Sequence, residues 1–197
     1  MRLLRSINIG FFALCLISGC GMLGTQLALA PSDNQVQMPS YSFPMPEDQG
    51  WRLQKDDSRD YAILTKRSDP IVWQIRTYKN PIKSDVLVAA TANQMADDFR
   101  KLQVVNMTEE GVNKGLYELR DVEMGEEVID ERRYYTMEHA IVSKKLAQRV
   151  STYLYFPQPA NNQYFYVAYY LEQAPPDVKV KSYKKDFLNL LTRLRFK

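Results

Sequence analysis

The single histidine of this sequence is the first side chain to weigh as a source of chemistry. His139 stands in Met137-Glu138-His139-Ala140, within a stretch of strand-like alternation. General-base work would need an acid oriented beside it, but adjacent strand residues point to opposite faces, which separates it from Glu138. A transition-metal site would have to be completed by carboxylates alone. His139 therefore reads as an ordinary strand residue. The run from Glu118 to Glu131 holds Glu118, Asp121, Glu123, Glu126, Glu127, Asp130 and Glu131, a density that suits a hard cation such as calcium. It lacks the D-x-[DN]-x-[DN]-G loop, and alternation divides its acids between two faces. Arg120, Arg132 and Arg133 are near enough to neutralise several, so a solvated hairpin with cross-strand ion pairs is expected. No G-x-S-x-G, G-x-G-x-x-G or G-x-x-x-x-G-K-[ST] motif occurs, and no carboxylate pair is singled out for glycoside hydrolysis. The reading is of a protein that is not an enzyme, with no catalytic residue, no cofactor and no metal site.

The surplus lies in the tyrosines, 13 in all and concentrated late in the chain. If Val150, Thr152, Leu154 and Phe156 face the core, Tyr153 and Tyr155 face away. A register with Leu154 opposite Phe165 sets Tyr155 against Tyr164 and Tyr153 against Tyr166, four rings on one face of a hairpin. Tyrosine suits a binding surface because it offers large area at small entropic cost and keeps a polar tip. On that reading Tyr153, Tyr155, Tyr164 and Tyr166 contact a partner, with Arg149 at the rim. The competing reading makes the rings a floor beneath a helix over Ser84–Leu102, and a sheet covered on both sides favours it.

The first twenty residues carry an address. Arg2 and Arg5 form a positive start, Ile7 to Ile17 is apolar apart from Asn8 and Gly10, and Ile17-Ser18-Gly19-Cys20 follows. This resembles the lipobox of bacterial lipoproteins. The resemblance implies that the Cys20 thiol carries a diacylglyceryl group, that cleavage occurs before Cys20, and that the new amine is acylated. Cys15 is a poor rival because Leu14 is too large for the cleavage position. A retained anchor over Ile7–Leu29 is the alternative, long enough for a bilayer of roughly 30 Å but interrupted by small and polar residues. Acyl chains hold at about 0.8 kcal/mol per buried methylene, so the partner at this end is the membrane itself. Aspartate after the lipidated cysteine retains enteric lipoproteins at the inner membrane. Gly21 stands there, which implies the periplasmic side of the outer membrane in a diderm host.

Residues 1–19 thus read as a signal peptide and 20–46 as a lipidated start and flexible linker, with Pro31, Pro39, Pro44 and Pro46. About 25 such residues have a typical end-to-end distance of roughly 25–30 Å. Residues 47–197 read as a single domain. Short strands are expected at Trp51–Leu53, Tyr61–Lys66 and Ile71–Tyr78, the last with Ile71, Trp73 and Ile75 on one side. A helix follows over Ser84–Leu102, capped by Ser84, its stripe formed by Val88, Ala92, Met95, Phe99 and Leu102. Strands are then expected at Val104–Met107, Leu116–Met124, Val128–Val142, Ala147–Phe156 and Tyr164–Leu171, with turns at Glu110-Gly111 and Met124-Gly125. A second helix spans Ser182–Phe196.

This order is α+β, a central antiparallel β-sheet with two helices. With Phe43-Pro44 ahead of Gly50-Trp51, it resembles the PsbP-like fold, which implies helices on both faces of the sheet. That fold hosts docking modules and assembly factors, so it assigns no chemistry. The formal charge of +3, from 26 bases and 23 acids, is too small and too evenly spread for a nucleic-acid binder. The expectation is an envelope lipoprotein presenting a non-catalytic docking module to an envelope protein. The alternative is a binding protein for a small apolar or aromatic ligand held between sheet and helix.

Overall fold

Side chains that alternate between two covered faces build the sheet. In the computed structural model, which describes residues 34–82, 91–157 and 163–197, strands β1 (Gln35–Gln37) and β2 (Tyr41–Pro44) come first. Strands β3 (Arg52–Asp56), β4 (Tyr61–Ser68) and β5 (Ile71–Pro81) form a meander. Helix α1 (Ala92–Met107) leads to β6 (Glu118–Ile129), β7 (Arg132–Val142), β8 (Ala147–Tyr155) and β9 (Tyr164–Ala174), and the chain closes with α2 (Lys184–Thr192) and β10 (Arg195–Phe196). Seven strands form one antiparallel sheet in the order β3-β4-β5-β9-β8-β7-β6, and β1-β2-β10 forms a small second sheet. The fold is α+β, with two helices and a large antiparallel sheet.

The helices lie on opposite faces. Helix α1 packs Ala92, Met95, Ala96 and Phe99 against Tyr135, Val150, Leu154 and Phe165. The N-cap is Thr91, whose hydroxyl accepts from Gln94 N while the Gln94 side chain accepts from Thr91 N, a reciprocal capping box. The Ser84 cap and Val88 of the expected helix lie outside the described residues. At its other end α1 continues through Val104–Met107, correcting the strand expected there. Gln103 and Met107 fall on the buried stripe begun by Met95 and Phe99, and helical packing overrides the β-branched Val104-Val105 pair. Arg100, also buried, donates to the carbonyls of Gly125 and Thr136 and ties α1 to β6 and β7.

The second face is covered by α2 together with β2 and β10. Phe187, Leu190 and Leu191 are buried against Tyr134, Tyr153, Tyr166 and Tyr170. The expected helix Ser182–Phe196 is shorter, since Arg195 and Phe196 leave it to pair with Ser42 and Tyr41. The linker expected through residue 46 is also corrected. Val36, Met38, Tyr41, Phe43 and Met45 are buried in this core, so the folded part begins by Gln35. The turn expected at Met124-Gly125 lies inside β6. The reversal is instead at Asp130-Glu131, both with positive φ, the geometry of a two-residue hairpin that matches strand twist.

Gly111 sits in the single π-turn Thr108–Val112 that ends α1. A Cβ there would lie 1.9 Å from the Tyr117 ring, which is held by a 2.8 Å hydrogen bond from its hydroxyl to the Met107 carbonyl. Gly111→Ala is therefore expected to destabilise the protein by about 1–3 kcal/mol, the usual cost of overpacking. Urea unfolding checks this, and an unchanged midpoint would show that the ring swings aside freely.

Candidate binding cleft

The four tyrosines do share one face, but that face is interior. The register is Tyr155 opposite Tyr166 and Tyr153 opposite Ala168, two residues from the expected pairing, which preserves the face because side chains alternate with period two. Tyr153 is 2% exposed and Tyr166 6%, beneath Phe187 and Phe196 respectively. Tyr155 is half-buried and stacks on Phe196, and half-buried Tyr164 holds Lys79 Nζ 3.8 Å from its ring centre. An exposed docking patch of all four rings is thus corrected: Tyr153 and Tyr166 are core. The covering helix is α2, not the middle helix, because α1 packs on the opposite face against Tyr135, Val150, Leu154 and Phe165.

Their hydroxyls are satisfied inside, Tyr153 donating to Glu127 at 3.0 Å and Tyr166 to the Ser40 carbonyl at 3.2 Å. Burial raises both phenols, Tyr166 to about 12. The space left among Tyr41, Tyr153, Tyr155, Tyr166 and Phe196 is about 10 Å³. That is room for one water at most, so no apolar ligand fits between these rings and α2.

A larger concavity opens where α2 begins. Rows of the sheet run from Glu123 through Glu138 and Ser151 to Tyr170, and from Ala140 through Arg149 to Glu172, and each residue in a row shares one face with the next. The strap from Pro175 to Tyr183 passes beside this end of the sheet and is held by the Trp73 indole donating to the Lys181 carbonyl at 3.0 Å. Between strap and sheet lies a cleft of about 760 Å³, lined by both charged and apolar residues. Lys184 pairs with Glu138 across it, and the Tyr170 hydroxyl donates to Glu172 at 2.9 Å while accepting from Tyr183 N at 2.6 Å.

Of the residues expected to bind a partner, only Arg149 lies in this cleft, exposed and without an ion pair among the described residues. The sequence reading missed Glu138, Glu172, Lys179 and Lys184. Their one local signal is Pro175-Pro176 between strand and helix, which marks a stiff connection but not what it faces.

Ser151 lines the cleft, but the His139 side chain points to the opposite face, where it is 4% exposed. Both His139 ring nitrogens are without a hydrogen-bond partner, and burial pulls its pKa down to about 4. No serine–histidine couple therefore forms here. Among the described residues no group of three or more His, Cys, Asp or Glu is placed to hold a metal ion. The acidic run is partly neutralised by neighbouring arginines, as expected: Glu118 by Arg120, Glu126 by Arg133 and Asp130 by Arg132. Cys20 and the rest of residues 1–33 lie outside the described residues. No helix among the described residues is long and apolar enough to cross a membrane.

No family model and no curated protein matches the chain. Among solved structures it is similar to cyanobacterial PsbP (CyanoP) from Synechocystis sp. PCC 6803, with 16% identity over 92% of this chain and 99% of that one, at a TM-score of 0.47. It is also similar to LpqN of Mycobacterium tuberculosis, a protein involved in cell envelope biogenesis, with 13% identity over 80% of this chain and 83% of that one, at a TM-score of 0.34. Likeness at this level transfers neither partner nor activity.

Proposed function

We propose that this chain is a lipid-anchored envelope protein whose folded part binds a protein partner without catalysing a reaction, and that the partner docks at the cleft beside α2. The observation that carries docking is the cleft itself. It is of the size of ligand sites, it is lined by charged and apolar residues, and no histidine side chain turns into it. The interior alternative, a small apolar ligand between the tyrosine face and α2, meets only about 10 Å³ of space. The observation that supports anchoring is Ile17-Ser18-Gly19-Cys20 after an apolar run that opens with Arg2 and Arg5. Gly21 adds the periplasmic side of the outer membrane as the destination in a diderm host.

Cys20→Ser is expected to abolish incorporation of labelled fatty acid and to release the protein from membranes, while Cys15→Ser leaves both unchanged. Undiminished labelling of the Cys20 variant would refute the anchor, and wild-type protein found chiefly in inner-membrane fractions would refute the destination. Docking is tested by placing a photo-crosslinking residue at Ser182, in the cleft, and at Arg52, exposed on the opposite edge strand. A discrete protein adduct from Ser182 and none from Arg52 supports the cleft; the reverse pattern rejects it.

A further inference from the structure

The charges in the cleft fall into two sets. Those already engaged are Glu138 with Lys184, and Glu172 with the Tyr170 hydroxyl. Half-buried Glu172, opposite Arg149 on β9, has no ion pair either; those left both exposed and without an ion pair among the described residues are Asp121 and Glu123 on β6, and Arg149 on β8 with Lys179 on the strap. All four are exposed, so each is solvated now and open to a ligand. The edge strand carries two acids, while toward the strap Arg149 and Lys179 outnumber Glu172 by one charge, which gives the cleft a negative flank and a weaker positive one.

The sheet fixes their separation. Glu123 pairs with Glu138 and Glu138 with Ser151, and Arg149 lies two residues along from Ser151. Two inter-strand steps and two residues of rise place the α-carbons of Glu123 and Arg149 about 12 Å apart. A free amino acid carries both charges on one carbon and is too short to reach both flanks. An extended peptide advances by about 3.3–3.6 Å per residue, so one of three or four residues spans about 10–14 Å. The floor between the flanks is Ala140 and the Ser151 side chain, and the wall includes Pro175, Pro176 and Val178. These are small or apolar surfaces that a peptide backbone can approach.

We propose that the cleft recognises a short extended peptide segment as a dipole, its cationic group held by Asp121 and Glu123 and its anionic group by Arg149 and Lys179. This rests on the docking reading above and specifies the chemistry of what docks. The engaged pairs hold the floor and the start of α2 in place, while the free charges select the ligand's orientation. A segment bearing the same charges in reverse order would enter backwards or not at all.

The test uses the full chain in detergent micelles and four probes: tetra-alanine with free ends, its N-acetyl form, its amide, and the doubly blocked peptide. Calorimetric titration should give tightest binding for the free peptide, a loss of about fivefold in Kd for each blocked end, and weakening by added salt. Glu123→Gln and Arg149→Gln, both at exposed positions, should each weaken the free peptide while leaving the thermal midpoint in place. Equal binding of all four peptides, or indifference to both variants, overturns the dipole. Absence of binding by every form overturns it as well. Neither result touches the docking reading, which the Ser182 crosslink decides separately.

Discussion

Truncating Tyr153 to alanine is expected to lower the unfolding free energy by about 3–5 kcal/mol, the cost typical of removing a buried aromatic ring. The ring is 2% exposed, meets Phe187 at 5.3 Å between centroids, and its hydroxyl donates to Glu127. Its loss would leave a cavity under α2 and an acid without its donor. Tyr155→Ala should cost less, because that ring is half-buried and its stacking partner Phe196 is itself partly exposed. Urea unfolding of both variants measures the difference. If Tyr153→Ala keeps the wild-type midpoint, α2 does not bury this face and the rings return to the surface.

Acid should destabilise the protein through His139. The imidazole is buried neutral, with its pKa lowered by burial from 6.5 to about 4. The unfolded chain takes up a proton near pH 6.5, while the folded chain resists until about pH 4. The contribution is therefore fully present above 6.5, is lost as the pH falls from 6.5 to 4, and changes no further below. That window corresponds to about 3 kcal/mol. Val150, opposite it on β8, and Leu171, opposite Val150 on β9, offer the ring no counter-charge. His139→Leu should keep the fold and reduce by about that amount the stability difference between pH 7 and pH 4. Carboxylates titrate in the same range, so the comparison with wild type is what counts; parallel profiles would contradict a buried neutral imidazole.

The sheet was readable because its strands alternate, and Trp73 and Ile75 lie in the α2-side core with Ile71 packed against it. Misreadings came where a local signal served a tertiary purpose. Gly125 looks like a turn residue. Instead it lies opposite Thr136, where a Cβ would come within 3.3 Å of the Oγ1, and its carbonyl accepts from Arg100. Four prolines suggested a tether, although the spacing of Val36, Met38, Tyr41, Phe43 and Met45 already carried a strand-like period. The cleft had one local signature, Pro175-Pro176, which marks its strap and not what the strap faces. Its charges come from four strands, a strap and the first residue of α2, and only the tertiary fold brings them together.

The pairing of β10 with β2 places a constraint in time. Tyr41 and Phe43 have their cover complete only when Arg195 and Phe196 arrive to close the three-stranded sheet. That contact joins segments far apart in sequence and forms after the local hairpins, which leaves an interval in which the two rings wait for their partners. Throughout that interval the α2-side face of the large sheet is wet and its aromatic residues are free to find other chains. The chain is thus most prone to aggregate while α2 and β10 are undocked, and a holdase that covers Tyr41 and Phe43 would protect it more than one acting on the α1 face, whose helix precedes four of its strands.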